Sequence, residues 1–155
     1  MHTEIFIVGL NHRTAPIEVR ESVAVEKSQI TEALGRLRTI SALREGVILT
    51  TCNRVEVVAA SPETDRAMEA VRVFLDQQRS SSNNGSLSDH LYTHRGNDAV
   101  RHLFRVAASL DSMVVGEPQI LGQLKEHYHL AQKAGTVGAV LHRLFHRSFF
   151  VAKRV

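Results

Sequence analysis

Gly46-Val47-Ile48-Leu49-Thr50-Thr51-Cys52-Asn53-Arg54-Val55-Glu56-Val57-Val58-Ala59 holds two β-rich runs separated by a short polar break. Runs rich in Val and Ile and bounded by turn-forming residues read as strands, and so close a spacing leaves room only for a hairpin or tight bend. Asn53 tolerates a left-handed backbone, which places the bend there and Cys52 at its tip. Upstream, Ile5-Phe6-Ile7-Val8 ends at Gly9 and reads as a buried strand leading into the polar loop Asn11-His12-Arg13-Thr14-Ala15-Pro16. Pro16 suits the first turn of a helix capped by Thr14 or Ala15, and Ile30, Leu34 and Leu37 recur at helical spacing. Two helices are therefore expected between the first strand and the hairpin.

Downstream, Asp65 or Thr64 can cap a helix through Val71, Phe74 and Leu75, followed by the polar loop from Ser80 to Ser86. A short strand near Leu91-Tyr92 precedes a helix containing Val100, Leu103, Phe104 and Ala107, and further helices are expected from about Gln119 to Ala134 and from Gly138 onward. In the last of these, Leu141, Leu144, Phe145, Phe149 and Ala152 share one face. Mixed strands and helices, with too few strands for a doubly wound sheet, predict an α+β sandwich with a helical extension.

The 155 residues suit one domain, or a domain with an appendage, and 43% hydrophobic with 23% charged residues is a globular composition that excludes collagen and bulk disorder. A single cysteine excludes a disulfide scaffold, no apolar run approaches the roughly 18 uncharged residues of a membrane span, and no signal peptide precedes Glu4, so a cytoplasmic protein with no membrane partner is expected. Lys and Arg number 19 against 16 Asp and Glu, a net charge of +3 that accommodates a polyanion without requiring one. The positive charge gathers late: Lys125, Lys133, Arg143, Arg147, Lys153 and Arg154 face the single acid Glu126. No G-x-G-x-x-G or G-x-x-x-x-G-K-[ST] motif occurs, so neither a dinucleotide fold nor a P-loop is expected within these residues.

Three groups of residues could carry chemistry. A lone cytosolic cysteine is by composition a small core hydrophobe. Cys52, however, stands between polar neighbours at a strand end, with Arg54 nearby to favour the thiolate and histidines elsewhere in the chain, which is the setting of a nucleophile. From His102 to Gln123, polar residues including Ser109, Asp111, Ser112 and Glu117 interleave with apolar ones, a pattern that suits either a pocket wall or a helix end capped by Asp111 or Ser112 and turned by Gly116 to Pro118. His142 and His146 stand one turn apart with His127 and His129 nearby, but there is no H-E-x-x-H, second cysteine or third carboxylate, so no metal site is assigned.

Three stretches resemble signatures of a known family: Gly9-Leu10-Asn11-His12-Arg13-Thr14-Ala15-Pro16-Ile17-Glu18-Val19-Arg20-Glu21, then Leu49-Thr50-Thr51-Cys52-Asn53-Arg54-Val55-Glu56, then the segment from His102 to Gln123. In this order they resemble the N-terminal catalytic domain of glutamyl-tRNA reductases, across essentially the whole chain. The resemblance implies a ferredoxin-like α/β sandwich with extra helices, spanning residues 1–137 as a catalytic domain, and a C-terminal helix at 138–155 that would begin the interdomain spinal helix. It implies that Cys52 attacks the ester of glutamyl-tRNA to form a thioester, which NADPH reduces to glutamate-1-semialdehyde for tetrapyrrole biosynthesis. Thr51, Asn53, Arg54, Ser112, Glu117, Pro118, Gln119 and Gln123 are implied to line the glutamate site, with His102 as proton donor or orienting group. NADPH is expected on a domain beyond this chain, together with a helical dimerisation domain that makes the whole protein a homodimer. Glutamate-1-semialdehyde aminomutase is an expected further partner. Two alternatives stay open on the sequence: a noncatalytic aminoacyl-tRNA or regulatory binding module, and a Cys/His esterase.

Overall fold

The computed structural model describes residues 2–79, 86–110 and 119–154. Four strands, β1 (Glu4–Asn11), β2 (Glu45–Thr50), β3 (Arg54–Ser61) and β4 (Tyr92–Arg95), form one sheet in the order β2-β3-β1-β4, with every neighbouring pair antiparallel. Helices α1 (Ile17–Val23) and α2 (Ile30–Arg38) connect β1 to β2, and α3 (Thr64–Gln77) connects β3 to β4. This β-α-β-β-α-β order is that of a ferredoxin-like sandwich. It continues into α4 (Asn97–Ala107), α5 (Gln119–Ala134) and α6 (Ala139–Ala152).

The added helices explain the strand sequences. All of β3, and β1 from Phe6 onward, are buried. Strands covered on both faces read as continuous apolar runs rather than alternating ones. Cross-strand neighbours share a face, so Gly9 and Glu56, paired in register, lie on the same side of the sheet. That is the side α4 covers, since His102 on α4 reaches Glu56. A Cβ added at Gly9 would lie 2.5 Å from the Val55 carbonyl oxygen and 2.6 Å from Glu56 Cγ. Glycine is required at this position by close approach of the neighbouring strand.

The hairpin forms where the sequence places it, with Cys52-Asn53 at its tip and the Thr51 N–H donating to the Arg54 carbonyl at 2.9 Å. The left-handed Asn53 does not. Among the described non-glycine residues only Ser109 has positive φ, at 66°. The Asn53 N–H instead donates to the Thr51 hydroxyl at 3.2 Å, so a side chain bends the hairpin tip. Two helix starts also differ. Pro16 itself occupies the cap position of α1, because Thr14 is used earlier: its hydroxyl accepts from the Asn11 N–H at 3.1 Å and helps close the turn after β1. α3 is preceded by Glu63 as its cap residue, which puts Thr64 and Asp65 inside the first turn.

α6 starts on a carboxylate from a distant strand. Buried Glu45, the first residue of β2, accepts from the N–H groups of Gly138, Val140 and Leu141 at 2.8, 3.2 and 2.8 Å. These are orphan donors of a helix N-terminus, and an anion there is doubly favoured by hydrogen bonding and by the helix dipole. Leu141, Leu144, Phe145 and Phe149 of α6 join the core. The expected polar loop around residues 80–85 and the expected turn at residues 111–118 lie outside the described residues.

Candidate functional site

The C-terminal end of β1, the N-terminal end of β3 and the hairpin tip meet at one edge of the sheet, with Asn11 opposite Arg54 in register. Cys52 is exposed there. Its position is held from the side by Arg20 of α1: the guanidinium donates through Nη1 to the Ala15 carbonyl at 2.7 Å and through Nε to the Cys52 carbonyl at 3.4 Å. A buried arginine thus ties the hairpin tip to the loop after β1. Thr51 and Asn53 flank the thiol, both partly buried.

Beneath this tip lies a charged group inside the sheet. Glu56 is 0% exposed and Arg54 1% exposed, with Arg54 Nη1 3.5 Å from Glu56 Oε1. Glu56 Oε2 takes a hydrogen bond from His102 Nε2 at 2.5 Å and another from the Tyr92 hydroxyl. Burial of this carboxyl raises its pKa, but the hydrogen bond and charge of His102 outweigh that, with Arg54 and Tyr92 adding to the effect, and hold it at about 2 instead of 4.5. Glu56 is therefore an anion at any physiological pH. A fixed carboxylate on one ring nitrogen sets the orientation of an imidazole and leaves the other nitrogen for outside chemistry. His102 is further packed by His94, whose ring stacks on it at 4.4 Å between centroids, and Tyr92 lies 5.2 Å from His94.

These rings wall a cleft of about 510 Å³ whose remaining lining includes Asn11, Thr14, Arg13 and the α4 residues Asp98, Arg101 and Arg105. Its chemistry is that of a basic, aromatic-walled surface depression with a hydrogen-bonded histidine at its base.

Of the residues expected at the site, Thr51, Cys52, Asn53 and Arg54 come together through the hairpin, and His102 joins them through Glu56. Arg54 is buried rather than presented at the surface. Gln119 is exposed at the start of α5; Gln123, one turn later, is partly buried and uses its carbonyl to accept from His127 Nδ1 at 2.7 Å. Among the described residues, no hydrogen bond or ion pair joins either glutamine to the Cys52 group. Ser112, Glu117 and Pro118 lie outside the described residues. No group of three or more His, Cys, Asp or Glu that could hold a metal ion occurs among the described residues; His142 instead pairs with the Tyr128 hydroxyl at 2.9 Å.

Sequence reading assigns no role to Glu56, Arg20, Tyr92 or His94. For Glu56 a signal exists: a carboxylate inside the unbroken run Val55-Glu56-Val57-Val58 cannot be buried without a charged or hydrogen-bonding partner. The other three depend on contacts between distant parts of the chain.

Residues 8–155 match the family described as glutamyl-tRNAGlu reductase, N-terminal domain. The chain is 48% identical over 152 residues to a glutamyl-tRNA reductase of Desulfatibacillum aliphaticivorans, an alignment covering 98% of this chain and 35% of the relative. It is 49% identical over 150 residues to glutamyl-tRNA reductase 2 of Koribacter versatilis (strain Ellin345), covering 97% of this chain and 34% of that protein. Among solved structures it resembles glutamyl-tRNA reductase from Methanopyrus kandleri with a TM-score of 0.76 and 35% identity, over 97% of this chain and 33% of the other. The chain thus spans about a third of the length of the relatives it matches. With the three signature stretches, the sheet order and this extent of similarity in agreement, the chain belongs to the glutamyl-tRNA reductase N-terminal domain family.

Proposed function

We propose that this chain carries the acyl-transfer half-reaction of a glutamyl-tRNA reductase, with Cys52 as the nucleophile. The observation that carries the reading is the exposed Cys52, whose backbone carbonyl accepts from Arg20, at the tip of a hairpin whose next strand carries buried Glu56 bonded to His102. The Cys52 sulfur attacks the glutamyl ester carbonyl; the S–C bond forms and the C–O bond to the terminal ribose breaks. The thiol proton ends on the departing ribose oxygen, with His102 as its carrier. A thiolate attacks an activated ester readily, and the thioester stays electrophilic enough for a following reduction. Thr51 and Asn53 contact the glutamyl group from the hairpin tip. Arg54 serves from beneath as a fixed cation, and Ser112, Glu117, Pro118, Gln119 and Gln123 complete the glutamate site as the family resemblance implies.

The residues present do not fit a nicotinamide dinucleotide. The sheet is antiparallel, and a single glycine, Gly96, separates β4 from α4 where a dinucleotide turn would need a glycine-rich stretch between strand and helix. Reduction of the thioester to glutamate-1-semialdehyde is accordingly assigned to the length of the family outside the matched third. Within the chain, we place the end of the acyl-transfer unit at residue 137, where α6 follows.

The test is mass spectrometry of the protein mixed with glutamyl-tRNA in the absence of any hydride donor. A glutamyl adduct on Cys52 is expected, with slow release of free glutamate as water attacks the unreduced thioester, and Cys52→Ser should lose both while keeping the fold. A serine variant acylated at the wild-type rate would remove Cys52 from this role. Glutamyl-tRNA left intact by folded wild-type protein would favour a binding module instead.

A further inference from the structure

Between α5 and the end of α6 lies a second hollow, of about 330 Å³, lined by Lys125, His129, His146, Phe149, Phe150 and Lys153. None of these residues lines the cleft over His102. Two lysines and two imidazoles face the hollow, and no carboxylate does among its described lining residues. Glu126, next to Lys125 in sequence, is paired with Lys27 instead. Burial, with the neighbouring Lys153 adding to it, pushes the Lys125 ammonium below the ordinary lysine pKa, and its Nζ lies 5.8 Å from the centre of the Phe149 ring. His146 is likewise held below the usual histidine value by burial, then by His142, whose ring centre is 4.3 Å away, and by His129. Like charges gathered this closely disfavour one another unless an anion lies between them. They cannot relieve the repulsion by moving apart, because Tyr128 of α5 packs edge-on against buried Phe149 of α6 in the core.

Two ammonium groups flanked by imidazole N–H donors suit a ligand with more than one negative charge and several acceptor oxygens. A phosphate monoester has about two charges near neutral pH and three such oxygens, whereas each phosphate of a diester chain has one charge. Phe150, 58% exposed, adds apolar surface beside the charges. We infer that the hollow is a binding site for a small phosphomonoester, its phosphate between Lys125 and Lys153 with His129 and His146 beside it, and its organic part against Phe150. The ligand bridges two helices, since Lys125 is on α5 and Lys153 caps the end of α6. The inference goes beyond the acyl-transfer reading and does not depend on it.

The experiment titrates the protein with phenyl phosphate and follows the histidine ring-proton NMR signals, with dimethyl phosphate, a singly charged diester, as the comparison. Phenyl phosphate should saturate, shifting the His129 and His146 signals while those of His90, outside the hollow, stay in place, and should raise the thermal unfolding midpoint as its concentration rises. Dimethyl phosphate should bind at least about tenfold more weakly, and Lys125→Gln and Lys153→Gln should each weaken phenyl phosphate about tenfold, the loss of one charge-assisted hydrogen bond. Lys133→Gln removes the same charge from α5 outside the hollow and should change the affinity less than about twofold, because salt screens a charge at that remove. The same spectra show that each variant is folded. Equal affinity for the two phosphates would overturn the inference, since the site would not read the second charge. So would affinity unchanged in both hollow-lining variants or lowered as much by Lys133→Gln, which would put the anion elsewhere. Phenyl phosphate that never saturates would overturn it outright, and because Cys52 acylation is not the readout, the acyl-transfer proposal would stand apart from that result.

Discussion

Glu56 is the residue on which the site's electrostatics depend, because one fully buried carboxylate is shared by Arg54, His102 and Tyr92. Removing one partner of a buried charge pair leaves the other uncompensated, so Glu56→Gln should destabilise the fold by about 3 kcal/mol or more. At saturating glutamyl-tRNA the variant should also acylate Cys52 roughly a hundredfold more slowly, with the half-saturating concentration changed less than about threefold. The proposed acyl transfer uses His102 as proton carrier, Glu56 orients that ring, and general acid–base assistance is worth at least that much. A double variant with His102→Gln should be hardly slower than either single one, since both substitutions disable the same unit; additive losses would mean that Glu56 only holds the fold together. The pH dependence has a definite sign. Glu56 titrates at about 2 in the folded protein and at the ordinary 4.5 when unfolded, so the unfolded chain takes up the proton first as pH falls. The stabilisation is complete above pH 4.5 and is lost between there and about 2, a change on the order of 3 kcal/mol. Urea denaturation at pH 6 and pH 3 should accordingly find wild type and Glu56→Gln closer together at the lower pH; a constant gap would contradict the assigned ionisation.

At the scale of elements, the strand next to Glu56 matters as much as the carboxylate. Gly9 lies opposite it in register, and Ala at this position would press its methyl against the β3 backbone at 2.5 Å from the Val55 carbonyl oxygen. Backbone cannot step aside as a flexible side chain can, so Gly9→Ala should cost on the order of 1 to 3 kcal/mol and displace Glu56 from His102. The measurement is a denaturation midpoint together with the acylation rate; a stable variant with normal rate would mean the two strands tolerate a wider separation. This pair also shows what the sequence could and could not reveal. β1, the hairpin, α3 and the three later helices were legible because Val- and Ile-rich runs and helical apolar spacing are local signals. The exposure of Cys52 at the hairpin tip was legible from its polar neighbours. Why Gly9 must be glycine was not, because the reason is an atom of a strand some 46 positions away, brought close only by pairing. The same holds for Arg20, whose reach to the Cys52 carbonyl depends on where α1 docks. Asn53 does not use the left-handed backbone it tolerates; its N–H donates to the Thr51 hydroxyl instead, a contact between near neighbours that composition alone does not select.

For the whole molecule, the question is how the helical extension is fastened to the sandwich, and Glu45 is the answer the structure gives. Its carboxylate lies at the beginning of β2 and receives three backbone N–H groups at the start of α6, so a sheet residue caps a helix more than ninety positions later. A second tie runs beside it, from the Gly46 N–H to the Thr136 carbonyl at 2.9 Å. Gly138 is required for this arrangement, since a Cβ there would sit 2.9 Å from the Glu45 carboxyl carbon, which is buried and cannot swing clear. The apolar face of α6 docks into the core through Leu141, Leu144, Phe145 and Phe149, but apolar packing alone does not fix where a helix begins. Glu45→Gln keeps the size and one good acceptor while losing the charge and directing an amide at N–H donors. A cap and dipole interaction of this buried kind is worth about 1 to 2 kcal/mol. If Glu45 fastens α6 locally, hydrogen exchange should speed up in the first two turns of α6 and at Gly46, with β1 and β3 changed much less, and Gly138→Ala should give the same pattern from the other side of the contact. A uniform loss of protection across the sheet and all helices would instead mean that α6 is inseparable from the global fold, and that the sandwich and its extension open only together.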